Sequence, residues 1–302
     1  MKNHIYCVGN AHLDPIWMWE WQEGSAEAKA TVRSALDRMK EFPDFKFVCS
    51  STSLYRWIEE FDLSMFEEVK QRVAEGRFVL VGGWIVQPDC NNPSGEAFAR
   101  HGLYGQRYFM EKFGTYARVG YNVDSFGHNA MLPQILKKSG MDAYVFMRPM
   151  EQEMHLDQDL FRWVAPDGTS VDTLRLWGCY CNQFADEARL ESLLNENSEG
   201  CRTGVDAFPL FYGVGNHGGG PTIRHIELLK AWAAAHPEQT VVFSDLSDFF
   251  EICREELPEL PSYQGDLQHH ASGCYAAVSA VKDTIRKGEC ALYRAEVDSV
   301  LG

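Results

Sequence analysis

The chain has 302 residues, 45% of them apolar and 24% charged, ordinary values for a globular protein that exclude a disordered or fibrous chain. Lysine plus arginine number 28 against 43 aspartates and glutamates, and the resulting charge of −15 repels phosphate backbones and anionic lipid, so neither a nucleic-acid partner nor a membrane surface is expected. No apolar run of the roughly 18 residues a membrane span needs occurs, residues 1–15 lack a secretory pattern, and nine scattered cysteines without a CxxC pair point to a reducing, cytoplasmic setting.

Short β-branched or aromatic runs alternate with helically spaced segments. In chain order, strands are expected over 5–8, 46–50, 78–81, 117–123, 143–147, 209–212 and 240–243. Helices are expected over 26–39, over 65–75 with Gly76 as the stop, from Ser94 to about Phe113, and over 223–235 and 246–256. Such alternation argues for an α/β fold with a parallel sheet, either a barrel or a doubly wound sheet. Residues 161–177, two β-rich runs about Pro166-Asp167-Gly168, read as a hairpin inserted into this pattern. After Gly265 a helical stretch over 276–301 has no following strand, which looks like the first helix of a further unit.

The polar residues gather at the carboxyl ends of these strands. Asn10-Ala11-His12-Leu13-Asp14 follows the first, and Gly82-Gly83-Trp84 with Gln87-Pro88-Asp89 follows the third. Asp124 through His128 follow the fourth, Arg148 the fifth, Gly215 through Gly220 the sixth and Asp245 the seventh; His269-His270 comes later. One such residue is most simply a helix cap or turn residue. Six strand ends together point to a site, because parallel α/β folds carry their chemistry at that end. His12 and Asp14, two apart on extended chain, point to the same side and are types that suit zinc; Asp124 and the tandem histidines offer completing ligands. The stretch from Gly213 to Gly218 matches GxGxxG, so a dinucleotide oxidoreductase is a competing reading. That reading leaves the His-x-Asp pair, Asp124 and His269-His270 unexplained, and a dinucleotide unit normally opens its domain. Trp17, nearest the His-x-Asp pair, is the tryptophan suited to stack on a sugar face.

Taken together, these segments resemble glycoside hydrolase family 38, the α-mannosidases. The resemblance rests on His12-Leu13-Asp14-Pro15-Ile16-Trp17, Gly82-Gly83-Trp84, Pro88 through Glu96, Asp124 through Asn129 with Pro133-Gln134, Gly215 through Thr222, and Gln268-His269-His270 with Gly273-Cys274-Tyr275. It implies a seven-stranded parallel β/α barrel with the β-hairpin insertion over 1–265, then the truncated start of a three-helix bundle over 266–302. It also implies a retaining α-mannosidase acting on a mannose-containing oligosaccharide or mannosyl conjugate. His12, Asp14, Asp124 and His270 would hold one zinc ion, for which other divalent metals can substitute; His270 is preferred to His269 because the second of such tandem histidines is the ligand. Asp124 would also be the nucleophile, Trp17 would line the sugar subsite, and Asp89 and Asn91 would shape the pocket. The family often forms dimers, which leaves a homodimer open.

One departure concerns the general acid. Many relatives place an aspartate in the glycine-rich loop, where this chain has Asn216-His217. Asn216 has no proton to give as an acid, whereas His217 carries an imidazole, a side chain able to give and take one. His217 reads equally as a hydrogen-bonded loop histidine, with Asp245 or later parts of the protein as other sources of the acid. Arg148 and Arg224 could bind a phosphorylated mannoside or serve only as ion-pairing residues. Two other readings stay open: a metal-dependent carbohydrate deacetylase, in which zinc would activate water, and a non-catalytic barrel that binds sugar or metal.

Overall fold

The computed structural model describes residues 1–215, 217–271, 273–274 and 277–302. Ten strands and nine helices are placed among the described residues. The strands are β1 His4–Asn10, β2 Phe47–Cys49, β3 Phe78–Leu80, β4 Val119–Asn122, β5 Ala143–Phe146, β6 Leu160–Val164, β7 Ser170–Arg175, β8 Ala207–Tyr212, β9 Thr240–Phe243 and β10 Ser262–Gln264. The helices are α1 Trp21–Glu41, α2 Thr52–Phe61, α3 Leu63–Ala74, α4 Gly95–Phe113, α5 Leu132–Lys138, α6 Glu187–Gly200, α7 Ile223–Ala235, α8 Ser247–Glu256 and α9 Ser279–Leu301. The helix ends follow side-chain chemistry. Ser94 caps α4 by accepting the Ala97 N–H, and Gly114, at φ 71°, closes it in the left-handed region. Thr222 and His225 cap α7 reciprocally.

The strands form a mixed α/β fold of two five-stranded sheets. The first runs β3-β2-β1-β8 and is wholly parallel; β9 joins the same edge of β1 as β2, at His4–Cys7 against Thr240–Phe243. The second runs β10-β6-β7-β5-β4. No ladder joins the two sheets among the described residues, so the seven-stranded barrel expected from the sequence is not seen as one closed sheet. At one seam a single hydrogen bond, from the Gly82 N–H to the Val119 carbonyl (2.8 Å), links the end of β3 to β4. Gly82 and Gly83 both have positive φ (89° and 69°), so the chain turns away there instead of extending the ladder. At the other seam β8 contributes only the Asn182–Tyr212 bridge, and its Pro209 has no N–H to offer a neighbour. The two sheets nevertheless share one apolar core, in which Val8 and Leu210 meet the cluster of Tyr121, Val145 and Leu174.

The hairpin is likewise corrected. β6 and β7 are antiparallel about Gly168, as expected, but β7 lies parallel to β5 and β6 carries β10. Five of the six β7 residues are buried, so the hairpin is part of the second sheet and not an insertion. Beyond β10, α9 spans 23 residues and buries none of its described side chains. It touches the rest through polar contacts, including Glu289 with the Ser94 N–H and Arg100 with Glu296. Among the described residues no helix is long and apolar enough to cross a membrane.

Candidate active site

Segments that follow β1, β3, β4 and β8, together with Cys274, line a cleft of about 440 Å³. His12, Asp14, Trp17, Asp89, Asp124 and His217 all line it. Its polar centre is His12, which is 4% exposed. The Nε2 atom of His12 stands 3.2 Å from Asp14 Oδ1 and 3.7 Å from Asp124 Oδ2, yet it makes no hydrogen bond. A buried ring nitrogen without a partner, facing two carboxylates, is an arrangement a cation would complete.

Two neighbours, Gln87 and Tyr180, contact the His12 ring. Gln87 Nε2 lies 3.1 Å from His12 Nδ1 and donates to Ser50 Oγ at 2.9 Å, while Gln87 Oε1 accepts the Val123 N–H at 3.0 Å. The Val123 N–H sets the orientation of the Gln87 amide, so the amide donates to Nδ1 and the imidazole proton rests on Nε2. On one side the Tyr180 ring packs at 5.3 Å.

Asp124 is shared between two systems. Its Oδ2 faces His12, and its Oδ1 accepts from Arg148 Nε at 2.9 Å. The same guanidinium reaches His270 Nε2 at 3.1 Å and sits over the Phe126 ring. His270 Nδ1 in turn contacts Glu153. Burial tends to raise the Glu153 pKa, but the Met150 N–H and His270 outweigh it and hold that carboxyl below its usual range. His12, Asp14 and Asp124 therefore converge, whereas His270 is joined to them through Arg148. Among the described residues no three His, Cys, Asp or Glu side chains stand together as a ready ligand set.

The remaining expected residues divide. Trp17 is 51% exposed, lines the cleft and packs on His217 at 4.9 Å; Trp19 is 5.1 Å from the same ring. Asp89 borders the cleft, but Oδ1 accepts the Asn91 and Asn92 N–H groups and Oδ2 accepts from Asn92 Nδ2, so it holds a turn. Asn91 accepts from Gln268, and its own Nδ2 is buried without a partner. Asp245 does not line the cleft: it pairs with Lys46 and accepts the Ser247 N–H. Arg224 donates to the Ala185 carbonyl, outside the cleft, and Arg148 is engaged by Asp124 and His270. Asn216 and Tyr275 lie outside the described residues. Gln87, Glu153 and Tyr180 were not assigned roles from sequence; Gln87 alone carried a signal, its place after a strand end.

The model of the glycosyl hydrolases family 38 N-terminal domain matches residues 2–266. The chain is 29% identical over 300 residues to alpha-mannosidase G of Dictyostelium discoideum, covering 98% of this chain and 27% of that protein. It is 29% identical over 304 residues to alpha-mannosidase 2C1 of Homo sapiens, covering 99% and 29%. The chain thus spans less than a third of the length of these relatives. An alpha-mannosidase from Enterococcus faecalis V583 superposes with a TM-score of 0.77 at 22% identity, over 88% of this chain and 31% of that one, a likeness of fold.

Proposed function

The chain belongs to glycosyl hydrolases family 38, and from that premise we propose that it carries the catalytic centre of a retaining α-mannosidase acting on a mannose-containing oligosaccharide or conjugate. The observation that carries this reading is the unpartnered His12 Nε2 facing the carboxylates of Asp14 and Asp124 at the sugar-sized cleft beside Trp17. Asp124 is the nucleophile. Arg148 occupies its Oδ1, which leaves Oδ2 on the cleft side to attack the anomeric carbon. His217 gives its proton to the leaving oxygen and then takes one from the incoming water. Trp17 offers its ring face to the sugar, and Asp89 with Asn91 keeps the wall of the pocket in shape.

His12, Asp14, Asp124 and His270 are assigned to a zinc ion, which cobalt or manganese can replace. When bound, the ion supplies a fixed positive charge that orients vicinal sugar hydroxyls, and the cis 2- and 3-hydroxyls of mannose suit such a grip. Residues 1–265 form the catalytic unit in this proposal, and 266–302 begin a helical one; the support is α9, which buries none of its described side chains. The cytoplasmic setting is part of the same reading, supported by nine cysteines that are all free thiols.

The test is trapping. The zinc-loaded protein, incubated with an activated 2-fluoro mannoside and digested, should carry the mannosyl group on Asp124. An adduct on another residue would remove the nucleophile assignment. Acetate release from acetylated sugars without glycosidic cleavage would make the protein a deacetylase. Absence of turnover and adduct, here and in a chain extended to the length of its relatives, would leave a sugar- or metal-binding module.

A further inference from the structure

Two thiols flank Tyr180, whose ring packs on His12, and have no part in the proposed mannoside chemistry. Cys179 and Cys181 follow β7, and their sulfur atoms are 2.9 Å apart. Both are half-buried, whereas Cys7, Cys49, Cys90, Cys201 and Cys253 are buried in the core. The turn is pinned in place: the Cys181 N–H points to Cys179 Sγ at 3.4 Å, and Asn182 Nδ2 donates to the carbonyls of Cys179 (2.7 Å) and Phe211 (2.9 Å). The residue between the thiols is Tyr180, whose ring lies against His12 and whose carbonyl accepts from Asn10 Nδ2 at 2.8 Å.

The two sulfurs are chemically unequal. The hydrogen bond from Cys181, then its N–H and the Arg148 charge, outweigh burial and hold the Cys179 thiol down to about 6, while Cys181 is pushed up. One sulfur is thus available as a thiolate near neutral pH, and its neighbour retains its proton. That division suits an attacking and a resolving thiol.

We propose that Cys179 and Cys181 are a reversible dithiol–disulfide site beside the active centre, with a low-molecular-weight disulfide as the oxidant. The Cys179 thiolate attacks one sulfur of the small disulfide, a mixed disulfide forms, and the first small thiolate leaves and takes up a proton. Cys181 then gives up its proton and attacks Cys179 Sγ, which breaks the mixed disulfide and releases the second small thiol. The protein dithiol loses two electrons and two protons, and the small disulfide gains both. Closure draws the sulfurs from 2.9 Å to about 2.0 Å. With one residue between the cysteines the ring is small and strained, so excess thiol reopens it readily. Tyr180 lies inside that ring, so closure shifts the side chain that packs on His12.

The experiment is an oxidised/reduced glutathione titration of the 302-residue protein, quenched with an alkylating maleimide and read by peptide mass. The expected result under oxidising ratios is a 179–181 peptide that has lost two hydrogens and takes no maleimide, restored by excess reduced glutathione. Under the same conditions Cys181→Ser should trap one glutathione on Cys179, and Cys179→Ser should trap little. Maleimide on both Cys179 and Cys181 at every ratio would overturn the proposal. Stable glutathione adducts on both, or a disulfide from either to the exposed Cys274 or Cys290, would do the same. The readout needs no mannoside, so its failure is distinct from failure of the α-mannosidase reading.

Discussion

Replacing Gln87 tests how the centre is oriented. Its amide makes three hydrogen bonds, to His12 Nδ1, to Ser50 Oγ and from the Val123 N–H. Gln87→Leu removes all three, and Val123 is fully buried, so its N–H is left without water as well. Three bonds at about 1 kcal/mol each, with an added cost for the stranded N–H, give a loss of roughly 3–5 kcal/mol. In a chain of this size that lowers the melting temperature by roughly 5–10 °C. The wild-type amide donates to Nδ1 and so favours the His12 proton on Nε2, the nitrogen facing the carboxylates, a preference that Gln87→Leu no longer enforces. Gln87→Glu goes further and favours the tautomer a ligand needs. One carboxylate oxygen still accepts the Val123 N–H, and the other accepts a proton from His12 Nδ1, which leaves the Nε2 lone pair toward Asp14 and Asp124. Zinc affinity at about pH 8, where histidine is neutral, should therefore be highest in Gln87→Glu, with His12→Ala as the reference for loss. Titration calorimetry, beside melting curves of the metal-free proteins, measures both effects. If zinc binds all three Gln87 forms equally while the melting temperatures differ, Gln87 only braces the loop and the orientation argument fails.

Two further outcomes concern stability. Burial pushes the imidazoles of His101, His128 and His225 down to about 4, so each is neutral in the fold over a range where the unfolded chain is protonated. Their contribution is fully present above about pH 6.5 and is lost as the pH falls toward 4, at about 1 kcal/mol per pH unit for each histidine. Urea midpoints should decline steadily between pH 6.5 and 4.5, and a flat profile would contradict the neutral assignment. Arg175, 2% exposed, binds Asp159, 1% exposed, through Nε at 2.8 Å. Arg175→Met should cost about 3 kcal/mol in urea unfolding because it strands much of a buried charge, and a loss under 1 kcal/mol would show that Arg202 alone satisfies Asp159.

The legible parts of the sequence were those with strong local chemistry. All seven expected strands are present because each is a short β-branched or aromatic run, and residues such as Phe47 and Val48 are buried as that pattern requires. The stop at Gly76 was readable for the same reason. What escaped has weak local signal. β10 is three residues, Ser262-Tyr263-Gln264, mostly exposed, and it exists through its pairing with β6. α5 is seven residues with a proline in its first turn, and α6 carries four glutamates and two asparagines with a thin apolar stripe. The membership of the hairpin in the second sheet depends on β7 meeting β5, a contact between segments some thirty residues apart that no local pattern encodes. At the site, His12, Asp14 and Asp124 were readable as ligand types at strand ends. The Arg148 bridge to His270 was not, because it depends on how the loops after β4, β5 and β10 come together.

The two histidines of the centre hold their protons on opposite nitrogens, and this sets what a cation must displace. At His270, Glu153 faces Nδ1 and fixes the proton there, so Nε2 presents a lone pair that the Arg148 N–H now occupies. That tautomer is already the one a metal ligand needs, and only a hydrogen bond has to be exchanged. At His12, the Gln87 amide donates to Nδ1, so the proton lies on Nε2, on the side of the two carboxylates. A cation there requires the proton to move from Nε2 to Nδ1, with the Gln87 amide giving way, so binding at His12 is linked to a change of tautomer and not to a net loss of a proton from the ring. Arg148 donates to Asp124 Oδ1 as well as reaching His270 Nε2, so in the proposed mechanism an exchange at His270 would leave it aligning the carboxylate assigned as nucleophile.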